Sequence, residues 1–251
     1  MNIYQELLFA IAYDQSVRHT DDVRLIQKLI EHTYGAKQLA ILEGLCGTGR
    51  VVIPLAHAGH TVSGVDANQA MLERAREKVR ALPIEMQKRI CLRPCSPTID
   101  DNWGQDMDIV ILTGNALYEF SERSHQEGCI RLASKALKLG GWLYLDNLQR
   151  RTQSFFIGEE HHKSIVGTDE AHVYGEAGST VIDINHDTQM IYYERYWLTR
   201  EANGRTKKNI FPSARRLPYP EEICRWLETY GLRVAKMFGD RIGNSHISLS
   251  Q

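Results

Sequence analysis

The chain has 251 residues, enough for one large domain or one domain carrying a sizeable insertion. Its hydrophobic share of 43% suits a buried core, and 30 Lys and Arg against 31 Asp and Glu leave a formal net charge of −1. That balance excludes the basic field that holds a nucleic-acid backbone and the long charge blocks of a solvated tail, so no nucleic-acid partner is expected.

In chain order, Asp21 to Tyr34 places Val23, Ile26, Leu29 and Ile30 at helical spacing behind an acidic first turn, and Gly35 ends the run. "QLAILEGL" reads as a buried strand and "RVVIPLAHAGH" as a helix stopping at Gly59. "TVSGVDA" is a second strand, followed by a helix that Asn68 caps and that closes before Pro83. "ICLRPC" and "MDIVILTG" are the third and fourth strands, a helix spans Gln126 to Leu139, and "GGWLYLDNL" is the fifth strand. Continuous apolar strands alternating with helices predict a parallel sheet covered on both faces.

Past Gln149 the pattern becomes alternating and rich in Tyr, Ile and Thr, with turn signals at His186-Asp187 and Asn203-Gly204. An antiparallel β subdomain inserted over 155–217 is the expectation. The α/β pattern then resumes with "YPEEICRWLETYG" as a helix and "LRVAKMFG" and "SHISLS" as the last two strands. The predicted fold is a Rossmann-like, seven-stranded, doubly wound α/β sheet. Residues 1–154 form the core with an N-terminal helical segment, 155–217 the inserted lid, and 218–251 the end of the core.

The five cysteines (Cys46, Cys91, Cys95, Cys129, Cys224) are scattered, and Cys91 and Cys95 lack a second pair at zinc-ribbon spacing. Reduced thiols, no metal and a cytoplasmic location are the expectation. The first residues lack a basic leader and a small-residue cleavage site, and no run reaches the ~18 apolar residues that span a bilayer, so neither a signal peptide nor a membrane partner is expected.

The stretch "LAILEGLCGTGRVV" runs an apolar strand into Glu43 and then three glycines. Such a turn serves dinucleotides, whose pyrophosphate sits on a helix N-terminus. Asp66 lies 17 residues after Gly49, near the spacing at which a carboxylate takes a ribose. A carboxylate at the mouth of the loop would repel a pyrophosphate, however, and would be costly to desolvate beside one. It suits a ligand with an ammonium group. S-adenosylmethionine (SAM) carries an amino cation and a sulfonium and no phosphate, and Asp66 would accept its ribose hydroxyls.

Residues Ile41 to Glu77 resemble the first two motifs of class I SAM-dependent methyltransferases. "MDIVILTGNALYEF" is similar to their fourth-strand motif and "ALKLGGWLYLDN" to the segment entering their fifth strand. The layout resembles small-molecule N-methyltransferases, namely the glycine and sarcosine methylating enzymes and the amino-sugar N,N-dimethyltransferases. The resemblance implies SAM as cofactor, S-adenosylhomocysteine as product and a small-molecule substrate. It implies that Glu43 meets the methionyl amine, that Gly44, Cys46, Gly47 and Gly49 form the floor, and that Ala67 and Met71 border the adenine. Where the family often has an acidic residue after the third strand, Cys95 and Ser96 stand here. Thr113 and Asn115 would border the methyl group, and Tyr13 (with Tyr4) would belong to a segment folding over the cofactor.

Methyl transfer from a sulfonium is an in-line displacement that depends mainly on alignment and desolvation. Tyr118, which could orient a proton, and Glu119, which could hold an ammonium substrate, are the catalytic candidates; a plain helix-start charge is an equal reading of Glu119. Arg195, Arg215 and Arg216 of the insertion could clamp a carboxylate or phosphate, and Arg241 lies in a loop near the acceptor. Cys46 reads as a small buried loop residue, His57 and His60 as helix-end groups, and "EEHHK" with His172 as a solvated loop. An NAD-dependent oxidoreductase and a SAM-binding accessory module without turnover remain the alternatives. The edges of an inserted antiparallel sheet leave room for a homodimer.

Overall fold

The computed structural model describes residues 7–17, 19–96, 102–147, 152–165, 174–200 and 205–245. Strands β1 (Ala40–Gly44), β2 (Thr61–Asp66), β3 (Ile90–Pro94), β4 (Met107–Leu112) and β5 (Leu137–Leu145) form a parallel sheet in the order β3-β2-β1-β4-β5. Successive residues of each strand enter different cores. Ile41, Ile109 and Ile111 pack with Val23, Ile26, Leu55 and Leu72 on one face, while Leu42, Val110 and Leu112 pack with Trp103, Ile130 and Trp226 on the other. Burial on both faces explains why these strands read as unbroken apolar runs.

The helices are α1 (Leu7–Ser16), α2 (Asp21–Tyr34), α3 (Val52–His57), α4 (Gln69–Arg80), α5 (Ile84–Gln87), α6 (Arg123–Ala136) and α7 (Pro220–Thr229). Helix α2 has the bounds its periodicity predicts and ends where Gly35 takes φ +61°. The Asn68 side chain accepts the Met71 N–H at 3.1 Å and so caps α4 as expected. The chain reverses direction across the sheet between β1 and β4, and there the carboxyl ends of the strands open the crevice in which α/β proteins bind ligands.

Two expectations need correction. Residues 137–139 belong to β5, so α6 stops at Ala136. The Met107–Leu137 pair lies across a register shift, and a Cβ on Gly141 would come within 2.9 Å of the Asp108 carbonyl, so the glycine pair forms an irregularity inside the strand.

The second correction concerns strand number. Among the described residues the parallel sheet has five strands, not seven. Residues 232–239 form no strand; Phe238 makes one antiparallel bridge to Ser245, and 246–251 lie outside the described residues. Arg233 and Lys236 interrupt the apolar residues of this segment, and Val234 and Met237 stay 47% and 45% exposed. A parallel strand sandwiched between helical layers would have to bury those cations.

Strands β6 (Glu160–Ile165), β7 (Tyr174–Asn185), β8 (Met190–Arg200) and β9 (Thr206–Arg216) form a separate antiparallel sheet in sequential order. The β7–β8 turn falls at His186-Asp187, where Asn185 Oδ1 accepts the Thr188 N–H at 2.9 Å. Asn203-Gly204 lies outside the described residues. Val181, Ile191 and Tyr193 pack with Tyr118, Phe155 and Leu217, which seats this sheet on the turn that follows β4. Among the described residues no helix is long and apolar enough to cross a membrane.

Candidate active site

Glu43 stands one residue before the end of β1 and is buried, with 4% of its surface exposed. Its Oε2 accepts the Val52 N–H at 3.2 Å and its Oε1 accepts the Thr113 hydroxyl at 3.3 Å, joining β1 to the first turn of α3 and to the end of β4. Burial pushes its pKa up to about 8, opposed by the charge of Arg50 and by these two hydrogen bonds. A buried carboxylate held this way is a strong acceptor for a cation that brings its own charge into the site.

The loop after β1 is closed by Asp66, the last residue of β2. Asp66 Oδ2 accepts the Gly47 N–H at 2.7 Å and Oδ1 accepts the Asn68 N–H at 2.8 Å. Burial raises its pKa while the two amides oppose the shift. Gly47 and Gly49 take φ +53° and +78°, a region that glycine enters without strain. Gly44 has a different reason to be glycine: a Cβ there would meet the Trp103 ring at 2.5 Å and Leu112 at 2.9 Å. It admits a buried indole. Burial also holds the Cys46 thiol well above its usual range, which fits a loop filler and not a nucleophile.

The N-terminal helix is tied to this loop. Asp14 accepts the Thr48 hydroxyl and pairs with Arg74 Nε at 3.0 Å and Lys78 Nζ at 2.9 Å, which holds α1 against α4. Tyr13, its neighbour, hydrogen-bonds Arg50 and feels the charges of Glu43 and Glu119; burial pushes its pKa up to about 12. Arg50 in turn grips the fully buried Asp22 with two bonds of 2.7 and 2.5 Å and donates to the His19 carbonyl at 3.1 Å. Tyr4 lies outside the described residues.

On the adenine side of the sequence expectation, Met71 is buried on α4 and Ala67 is exposed at the end of β2. The Cys95 N–H donates to the Asp66 carbonyl at 3.0 Å, and its thiol donates to the Asn102 carbonyl at 3.5 Å. Ser96 is the last described residue before 97–101.

The turn after β4 carries the remaining candidates. Asn115 takes φ +63°, its N–H donating to Asp146 Oδ1 at 3.2 Å. Arg241 donates to the same Asp146 oxygen at 2.7 Å and to Asn115 Oδ1 at 3.3 Å, so it closes the C-terminal loop onto β4 and β5. Tyr118 is buried in the core beneath the antiparallel sheet. Glu119 is exposed and bonds Arg215 from β9, with Arg195 Nη2 from β8 at 3.9 Å. The acid and the two arginines thus form one ion cluster, and the charge of its Glu119 acts on Tyr13. Arg216 does not join it. It turns inward to Gln126 Oε1 at 3.0 Å and Glu222 Oε2 at 2.7 Å, a structural position that replaces the clamp expected of it.

The histidines of the antiparallel sheet are engaged in local pairs. His162 faces Glu160 at 2.9 Å and Glu176 at 2.8 Å, and also bonds the Tyr196 hydroxyl. Among the described residues no group of three or more His, Cys, Asp or Glu side chains could hold a metal ion; His172 lies outside them.

Sequence reasoning overlooked Asp14, Arg50 with Asp22, Gln126 and Asp146. Arg50 had a legible signal: a cation inside a glycine loop that begins a buried helix needs an anion close by. The others depend on long-range partners and carry no local pattern.

Residues 41–141 match the profile of a methyltransferase domain. No curated protein matches the chain. Among solved structures, the CcbJ methyltransferase from Streptomyces caelestis is similar at 22% identity and a TM-score of 0.72, over 98% of this chain and 93% of that one. SAM-bound CalS10, an amino pentose methyltransferase from Micromonospora echinaspora, is similar at 18% identity and a TM-score of 0.70, over 97% and 96% of the two chains. The sugar N-methyltransferase KedS8 from Streptoalloteichus is similar at 18% identity and 0.67, over 87% and 82%. At these identities the likeness is one of fold, and it includes the antiparallel sheet as well as the methyltransferase domain.

Proposed function

We propose that this protein transfers the methyl group of SAM, by in-line displacement, to a nitrogen of a small-molecule acceptor. The observation that carries the proposal is the placement of two buried carboxylates, Glu43 and Asp66, at the ends of adjacent strands β1 and β2, with Glu119 close enough to raise the pKa of Asp66. Glu43 would take the methionyl amine and Asp66 the ribose hydroxyls. Gly47, Gly49 and Cys46 would line the loop, and Gly44 would act only by admitting Trp103 behind it. Ala67, Met71, Cys95 and Ser96 would border the adenine. Thr113, Asn115 and Tyr13 would enclose the reacting end. SAM, when bound, supplies both the methyl group and its sulfonium leaving group.

The residues of 155–217 would cover the acceptor. Glu119 would hold the acceptor's ammonium until it loses its proton, with Tyr118 fixing the turn that presents it. Arg195 and Arg215 would receive an anionic group of the same molecule by exchanging it for Glu119. Arg241 would act through Asp146 and Asn115. An amine is favoured over a hydroxyl because the Glu119 carboxylate would face the reacting end, and because a sugar N-methyltransferase and an amino pentose methyltransferase are among the similar structures.

Calorimetric titration with S-adenosylhomocysteine and with NAD separates this reading from an oxidoreductase. Binding of NAD without S-adenosylhomocysteine would sink the proposal. Labelled SAM incubated with amines, phenols and carboxylic acids then tests the acceptor: label on amines is expected, while binding with no methylation of any of them would leave a non-catalytic SAM module.

A further inference from the structure

We propose that Gln126 is a positioning residue that sets the alignment of Glu119 against Arg215, and through it the acceptor side of the site. The inference rests on the acceptor reading above only for its functional consequence; the alignment itself is a matter of geometry. Gln126 lies in the first turn of α6 and is fully buried. Its amide Nε2 donates to three backbone carbonyls: Leu117 at 2.8 Å, Phe120 at 3.2 Å and Arg216 at 2.9 Å. Two of those carbonyls bracket the turn that carries Tyr118 and Glu119. The third belongs to the residue immediately after Arg215.

The same side chain works from its other end. Gln126 Oε1 accepts Arg216 Nη1 at 3.0 Å, and Arg216 continues to Glu222 on α7, which also pairs with Arg123 at 3.0 Å. The Arg216 N–H donates to the Phe120 carbonyl at 3.1 Å, so the end of β9 is fastened directly to the turn as well. One side chain thus ties together the backbone on both sides of an ion pair whose members lie 96 residues apart. A glutamine fits this position because the site offers several acceptors to be donated to and one cation to be accepted from. An aliphatic residue would take one donor from each of these carbonyls, and a carboxylate would face them with no donor. Gln126 does not bond to Glu43 or Asp66, so it has no direct contact with the cofactor side.

The test is a double-mutant cycle that needs no acceptor. Unfolding equilibria of wild type, Glu119→Gln, Arg215→Met and the double variant give the coupling between the pair. The same set is then measured in a Gln126→Met background. A coupling of about two- to five-fold in the unfolding constant is expected for a partly exposed pair. It should vanish in the Gln126→Met background while S-adenosylhomocysteine affinity stays within about two-fold of wild type. Coupling of unchanged size in that background overturns the proposal. If Gln126→Met does not fold, Gln126→Asn serves instead; it keeps the amide but shortens its reach to the three carbonyls, so the coupling should fall in that background, and coupling of unchanged size there overturns the proposal equally. Absence of coupling in the wild-type background also overturns it, because there is then nothing to align. The acceptor reading fails separately, by Arg215→Met leaving amine methylation unchanged while the cycle behaves as expected.

Discussion

The hydroxyl of Thr113 donates to Glu43 Oε1 across the boundary between β4 and β1, at the point where the sheet reverses its order. That bond and the Val52 N–H are neutral donors to a carboxylate that burial holds near pKa 8. The site therefore stores a proton at neutral pH that a cationic ligand would displace.

Stability should follow from this. The folded-state pKa of Glu43 is raised above its ordinary 4.5, so the folded protein binds the proton more tightly than the unfolded chain. The associated stability is complete below about pH 4.5 and is lost as pH rises through about 8. Glu43→Gln removes the titration. Thermal melts of the ligand-free protein should show the variant gaining on wild type between pH 5 and pH 9, on the order of 1–3 kcal/mol by the alkaline end. Parallel pH profiles for the two proteins would refute the assignment.

Cofactor affinity should run the other way. The methionyl ammonium needs an ionised Glu43, so SAM binding by wild type should strengthen from pH 6 to pH 8, with proton release measurable in buffers of different ionisation enthalpy. Glu43→Gln should bind about 1–3 kcal/mol more weakly and lose that pH dependence.

Asp66→Ala should weaken SAM binding by about 1–3 kcal/mol through the ribose, and should also free the Gly47 and Asn68 amides that Asp66 now accepts. Hydrogen exchange distinguishes the two effects. Faster exchange at Gly47 and Asn68 in the ligand-free variant reports the loop, and calorimetry reports the ligand; an unchanged affinity would remove Asp66 from the cofactor site.

Gly44→Ala tests the packing explanation for the first glycine. The new methyl would overlap the Trp103 ring, at a cost of about 1–3 kcal/mol. Replacing Trp103 by Leu in the same chain should recover part of the loss, because the two closest overlaps are with far ring atoms of the indole, while that with Leu112 at 2.9 Å stays. No recovery would mean the glycine serves the loop backbone instead.

These residues also show what the sequence makes legible. The parallel sheet and α2 come from local patterns: apolar runs, helical spacing, a capping Asn68 and a terminating Gly35. Glu43 and Asp66 are legible for a related reason, since each is a charge at the end of an apolar strand. Partnerships across the fold leave no such trace. Nothing local says that Glu119 meets Arg215, that Arg241 is held by Asp146, or that Gly44 is small because of Trp103. The expected strand over 232–239 failed where a pattern was present but its cations could not be buried.

Arg50 supplies the sharpest test of a long-range partnership. It forms two parallel bonds to Asp22, whose side chain is fully buried, while Arg50 itself is 13% exposed. Burial alone would raise the Asp22 pKa, but the guanidinium bonds and charge overcome this and hold the carboxylate below its usual range. Removing the guanidinium by Arg50→Met strands that anion, and a loss of about 3–5 kcal/mol in unfolding free energy is expected. Arg50→Lys keeps the charge but cannot make both bonds or reach the His19 carbonyl at the same time, so it should recover only part of the loss. Denaturant unfolding decides the matter. Full recovery by lysine would show that charge alone suffices, whereas partial recovery shows that the geometry of the fork holds α2 to the glycine loop.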